Sequence, residues 1–457
     1  MRAWGLRAVA ASLTAGVVAM VLAVGPGTPS TAQPATRTSG VHLGVASCAG
    51  STCHGRGEAD GAVVRQNELM TWQDESSPSG AHARAYRVLL EPRSQEIARR
   101  LGIGPAHQAG ECLACHSDAP AATMRAAKHE LSDGVGCEAC HGGSSGWISS
   151  HTAVGVSHAD NVAQGLKALE KPQVRAAVCL DCHFGGQGNQ FVTHRIMAAG
   201  HPRISYELDL FTALQKHHDE DADYAKRKSV ATGAQVWAVG QAMAVDRAAS
   251  LFASRGSDGV FPEFYFLDCR TCHRAFSDSR SMRATWVANP GRPIPSGYPA
   301  FNDENMIVLA SAAKVAAPDL ASALDRDSRA FHASFTKDRT ANRAAALALA
   351  GTARRLADRF DDAPLGRAQI LAILDDVLSG ATASRYTDYQ GGAQAVMAVD
   401  SLLNALAAGS EGDRRAVAAM KGDVDRAYAA VRDANDWRPA DFRASLTRID
   451  SAVARMR

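Results

Sequence analysis

Aromatic residues make up only 6% of this 457-residue sequence, and the formal net charge is just +2. So few aromatics leave an ordinary core short of its largest fillers, and so small a charge argues against nucleic acid as a partner. Beyond Val24 no apolar run is long enough to cross a bilayer. No cysteine is spare either. All ten belong to pairs followed directly by histidine, which leaves none for a disulfide framework, a zinc ribbon or a thiol nucleophile. A C-x-x-C-K motif is absent, which removes one known signature of a nitrite-reducing haem.

Four of these pairs share one spacing: Cys112…Cys115-His116, Cys137…Cys140-His141, Cys179…Cys182-His183 and Cys269…Cys272-His273. The fifth, Cys48…Cys53-His54, has four intervening residues instead of two. C-x-x-C alone is also half of a zinc site, but zinc does not require histidine directly after the second cysteine. In C-x-x-C-H the two thiols become thioethers to the haem vinyls and the histidine takes one axial position on iron. Small Gly50 and Ser51 allow the longer motif to loop out without moving its ligands. The expected cofactor is covalent haem c, five per chain.

The start of the chain has the order of a secretory signal. Arg2 and Arg7 precede the apolar run Ala8–Val24, and Ser30-Thr31-Ala32 precedes Gln33. The rival is a retained anchor, for which the run is marginal in length. Cleavage predicts a signal over residues 1–32, a disordered leader over 33–41, and a periplasmic protein not embedded in the membrane, with the outer cell surface as an alternative. Removing Arg2 and Arg7 brings the balance to about zero, and haem propionates would then make it negative.

Residues 42–300 should form a pentahaem domain of short helices and long loops wrapped round the porphyrins. The clearest helix is expected over about 81–101. Residues 301–457 hold no cysteine and one histidine, and repeat apolar positions at helical period: Ile370, Ile373, Leu374, Val377; Val396, Val399, Leu402, Leu403, Leu406. They predict a mainly α chain ending in a bundle of four to six helices, a brace or a docking module, with breaks at Gly380, Gly409 and Pro439.

Eleven histidines lie outside the motifs, ten of them in the haem region, so distal imidazoles can fill all five irons. His194 and His201 are two helical turns apart and could serve neighbouring haems. His129, shortly before Cys137, is a further candidate. His217 and His218 sit in a charged stretch and read as solvated, and His332 reads as a surface residue.

The run Trp72-Gln73-Asp74, His82-Ala83-Arg84, Cys112…His116, Gly134-Val135-Gly136-Cys137-Glu138-Ala139-Cys140-His141-Gly142 and His151, then Cys179…His183, resembles the cytochrome c-554 family of tetrahaem electron carriers. The resemblance covers about residues 45–185. It implies that His82 and His151 are distal ligands, and that the haem on Cys112, Cys115 and His116 lacks one. The stretched first motif, the fifth motif and the C-terminal region depart from the family. The leading expectation is a relay of electrons between redox partner proteins, a donor and an acceptor. The alternative is an oxidoreductase acting on a small nitrogen or sulfur compound at one open iron, with Arg125, Lys128 and His129 placed to line its pocket.

Overall fold

The computed structural model describes residues 40–58, 66–186, 188–203, 205–218, 220, 222–255, 263–273, 293, 298–383, 388–433 and 436–457. The expected signal and all but the last two residues of the expected leader lie outside these residues, as does most of the Pro/Gly stretch 289–299. The described chain is mainly helical. Its extended pairings are two isolated bridges, His42 with Arg125 and Leu267 with Phe301. No helix among the described residues is long and apolar enough to cross a membrane.

Short helices carry the first half. The helix expected over 81–101 is two, Ala81–Val88 and Pro92–Leu101. Pro92 cannot donate the hydrogen bond that a continuous helix needs, and Glu91 is extended at φ −70°, ψ 150°. Gly102, at φ +69°, closes the second helix in the left-handed conformation that a side chain would strain.

Behind these elements runs the long helix Gly233–Arg255, buried on nearly every face. An apolar surface all round marks a central helix rather than a surface one. Beyond residue 300 seven α-helices follow among the described residues: Glu304–Ala316, Pro318–Ser334, Arg339–Asp362, Arg367–Thr382, Tyr389–Ala407, Glu411–Ala430 and Pro439–Val453. Gly380 does not break its helix; it is buried within Arg367–Thr382. One apolar core extends from Phe191 through Gly233–Arg255 to Val453, so residues on both sides of position 300 share it.

The few aromatics are concentrated. Phe252 meets Phe266 and Phe331 at 5.3 Å, and Phe301 meets Phe331 at 4.8 Å, all edge to face. Each such buried ring contributes about 1.5–3 kcal/mol by area, with a smaller pairing gain. Phe266 lies three residues before Cys269, so this cluster fastens the fifth motif to the helical core. Polar ties add to it. Ser401 donates to the buried Glu207 carboxylate at 2.6 Å, and Gln235 donates to the Phe360 and Asp361 carbonyls at 3.1 and 2.8 Å.

Candidate haem-binding site

Each motif places its histidine by local backbone geometry. In the fifth, the His273 N–H donates to the Cys269 carbonyl at 2.8 Å. In the stretched first motif, the His54 N–H donates to the Cys48 carbonyl at 3.2 Å, closing the same first-cysteine-to-histidine contact over a longer loop. The two extra residues are absorbed by a turn in which the Cys53 and Gly55 N–H groups both reach the Gly50 carbonyl. A Cβ on Gly55 would meet the Ala49 carbonyl oxygen at 2.0 Å, so the turn needs glycine. The fourth motif sits where the helix Pro172–Leu180 widens into a π turn over Asp181–Gly185, a local irregularity common at functional sites.

Every motif histidine faces a second histidine from a distant segment. Ring centroids are 6.4 Å apart for His54 and His151, 6.1 Å for His183 and His82, and 6.3 Å for His116 and His201. They are 6.3 Å apart for His141 and His217, and 6.1 Å for His273 and His194. Two imidazoles on opposite sides of one metal, with bonds of about 2.0–2.1 Å and ring radii of about 1.1 Å, would stand about 6.2–6.4 Å apart.

Hydrogen bonds orient several of these rings. The Nδ1–H of His116 donates to the Ala85 carbonyl at 2.9 Å, and that of His151 to the Ile148 carbonyl at 2.5 Å. His201 donates to Pro202 O at 2.8 Å and His217 to Gln215 O at 3.1 Å. His54 Nδ1 pairs with the Glu68 carboxylate at 3.0 Å, which raises its pKa. A proton held on Nδ1 leaves the Nε2 lone pair for a metal. Burial pushes the His141 imidazole down to about 3 and His183 to about 4, so both are neutral donors at physiological pH. The donor set therefore fits haem: two thiols and an imidazole in sequence, with a second imidazole across from it.

The remaining histidines have other neighbours. His158 bonds Glu170 at 2.9 Å, His218 lies on Tyr224, and His107 on Tyr86. His332, expected at the surface, is 1% exposed, with Nε2 3.4 Å from Asp303. His129, expected as a distal ligand, faces His42 and Asp118 instead, while His217 from the charged stretch faces His141. His201 stands across from His116, the motif histidine for which the resemblance implied no facing partner.

The attachment sites adjoin one another in a fixed order. The thiol of Cys48 adjoins that of Cys137, and the thiol of Cys115 adjoins that of Cys182. Cys140 lies in the field of Cys179 and Cys182. His194, facing the fifth motif, opens the short helix His194–Ala198, and His201, facing the second, lies three residues beyond its end. The motifs thus neighbour one another in the order first, third, fourth, second, fifth.

Repeated cysteine-pair motifs with facing histidines on a helical frame define a multihaem c-type cytochrome. Residues 47–142, which span the first three motifs, match the family described as cytochrome c554 and c-prime, and over that segment the chain is similar to that family. No curated protein and no solved structure matches it. The matched segment includes His82 but ends before His151, the fourth and fifth motifs and the C-terminal helices.

Proposed function

We propose that the chain carries five haems c, each held by one cysteine pair and two histidines, and relays electrons between redox partner proteins in the periplasm. The observation that carries this reading is the five facing imidazole pairs, one per motif, at nearly one separation. Haem c, when bound, supplies one-electron chemistry at each site. The chain's part is to fix position and ligation. Covalent attachment holds orientation, and two histidines per site leave little to rearrange on a change of oxidation state.

The order of adjoining motifs gives the chain two ends. Cys53 and His151 are exposed at the first motif, and Cys272 and His273 at the fifth. Contacts at such ends suit transient partners better than permanent ones. The apolar run Ala8–Val24 behind Arg2 and Arg7 supports export, and with it the periplasmic assignment. His201 opposite His116 favours a relay over a reaction at an open iron.

Intact-protein mass spectrometry of the holoprotein tests the stoichiometry. The expected mass is the processed chain plus five haems, and an equilibrium redox titration should require five electrons per chain. A mass with four haems, lacking the one on Cys48 and Cys53, would contradict the reading.

A further inference from the structure

His42, Asp118 and His129 come together from three separate segments, and none of them faces a motif histidine. His42 Nδ1 lies 2.8 Å from Asp118 Oδ2, and His129 Nε2 lies 3.4 Å from the same oxygen. All three donor atoms fall within 4.8 Å of one another. The His129 side chain is only 2% exposed, yet neither of its ring nitrogens has a hydrogen-bond partner. A buried imidazole with both nitrogens unpartnered is costly, and it asks for a ligand.

The scaffold around the three residues is built rather than incidental. The His42 N–H donates to Met124 O at 2.8 Å, and Ala126 N–H donates back to His42 O at 2.9 Å. The His129 N–H donates to Ala126 O at 3.0 Å, and the Asp118 N–H to Gly134 O at 2.7 Å. Gly44, at φ +90°, lets the leading segment approach so closely that a Cβ would lie 2.2 Å from Lys128 O and 2.7 Å from His129 Cα. Asp118 and His129 line a small cavity together with Glu130 and Asp133, two further acidic side chains beside them.

We propose that His42, Asp118 and His129 bind one divalent transition-metal ion of the zinc class, separate from the haem irons. Two imidazoles and a carboxylate are a common donor set for such ions, with a fourth position left to water. Bonds of about 2.0–2.1 Å in a tetrahedral site place donors about 3.3–3.4 Å apart, the spacing of the Asp118–His129 edge. The His42–His129 edge closes onto the ion. The His42–Asp118 edge opens slightly, exchanging a hydrogen bond for two metal bonds. The ion would pin residues 42, 118 and 129 together in front of the third motif, where Glu138 already gathers the Leu43 and Gly44 N–H groups at 2.8 and 2.7 Å.

The test is zinc titration of chelator-treated holoprotein by calorimetry, with elemental analysis of the product. One tight equivalent per chain is expected. His129→Gln and His42→Gln should each weaken it by about 100-fold while haem content stays at the wild-type value. Unchanged zinc affinity in His129→Gln would overturn the site, and so would the lack of a tight equivalent in the wild type. Should the variants lose haem, zinc-edge X-ray absorption on the loaded wild type decides. Two imidazoles with oxygen neighbours are expected, and sulfur or a single imidazole would overturn the proposal. A His129→Gln protein that gains a carbon monoxide-binding haem would place His129 on an iron, with the same consequence.

Discussion

An imidazole meets a metal through one nitrogen, so the partner of its other nitrogen decides which way the ring can face. Backbone carbonyls do this for His116, His151, His201 and His217, and the Glu68 carboxylate does it for His54. Replacing a histidine that faces a motif histidine, such as His82 opposite His183, with methionine changes the iron's electronics without removing a ligand. In a redox titration, His82→Met should raise one of the midpoints and leave the others nearly in place. Unchanged midpoints throughout would take His82 off the iron. The angles between facing rings make a second prediction. They are 81°, 86° and 82° for the pairs of His183, His116 and His141, against 12° and 33° for those of His54 and His273. Perpendicular ligand planes leave the iron d orbitals nearly degenerate and near-parallel planes split them. Electron paramagnetic resonance of the oxidised protein should therefore show three highly anisotropic low-spin centres and two rhombic ones; five rhombic signals would contradict the ring geometry. At this scale the motif histidines stand out in the sequence because the motif is contiguous. His217 does not: Lys216, Asp219 and Glu220 around it carry the mark of a solvated loop, and only tertiary folding turns it toward His141. His129 misled for the converse reason. It is near Cys137 in sequence, but its ring is held against His42 and Asp118.

Among the elements, the short helix Leu208–Leu214 joins the two halves of the molecule. Glu207 caps it by accepting from the Asp209 and Leu210 N–H groups at 2.9 and 2.7 Å, and it also accepts from Ser401 in the helix Tyr389–Ala407. Burial, and then the neighbouring Glu207 carboxylate, push Asp209 from 3.8 up to about 8. The folded chain therefore keeps a proton there that the unfolded chain gives up in mild acid. Its stabilising effect is complete below about pH 4 and is lost as pH rises towards 8. Asp209→Asn removes that dependence. Its unfolding midpoint should exceed the wild type's at pH 9 by an amount worth on the order of 1 kcal/mol or more, with a smaller difference at pH 5. Parallel midpoints across that range would place Asp209 in an ordinary aqueous setting. The bundle helices were readable from their apolar period, and Ile373, Leu374, Leu402 and Leu403 are all buried. Gly233–Arg255 was harder to find, because a helix buried all round has no polar face to give it a period.

Across the whole molecule, the helical part does more than follow the haem-binding part. Both sides share one apolar core, so the C-terminal helices hold the fifth motif through Phe266, Phe301 and Phe331 and the fourth through Gly233–Arg255, whose Arg247 bonds Asp181 at 2.7 Å. That sharing was invisible in composition, which changes sharply near residue 300. The family match over residues 47–142 takes in the first three motifs and His82, but the placement of His201 across from His116 depends on a segment beyond the matched residues. The central claim is that every iron has two histidines. Carbon monoxide titration of the dithionite-reduced holoprotein, scored against total haem from the alkaline pyridine spectrum, tests it most directly. The account predicts that none of the haems binds carbon monoxide. Tight binding at one haem per chain would reveal an open iron and contradict it.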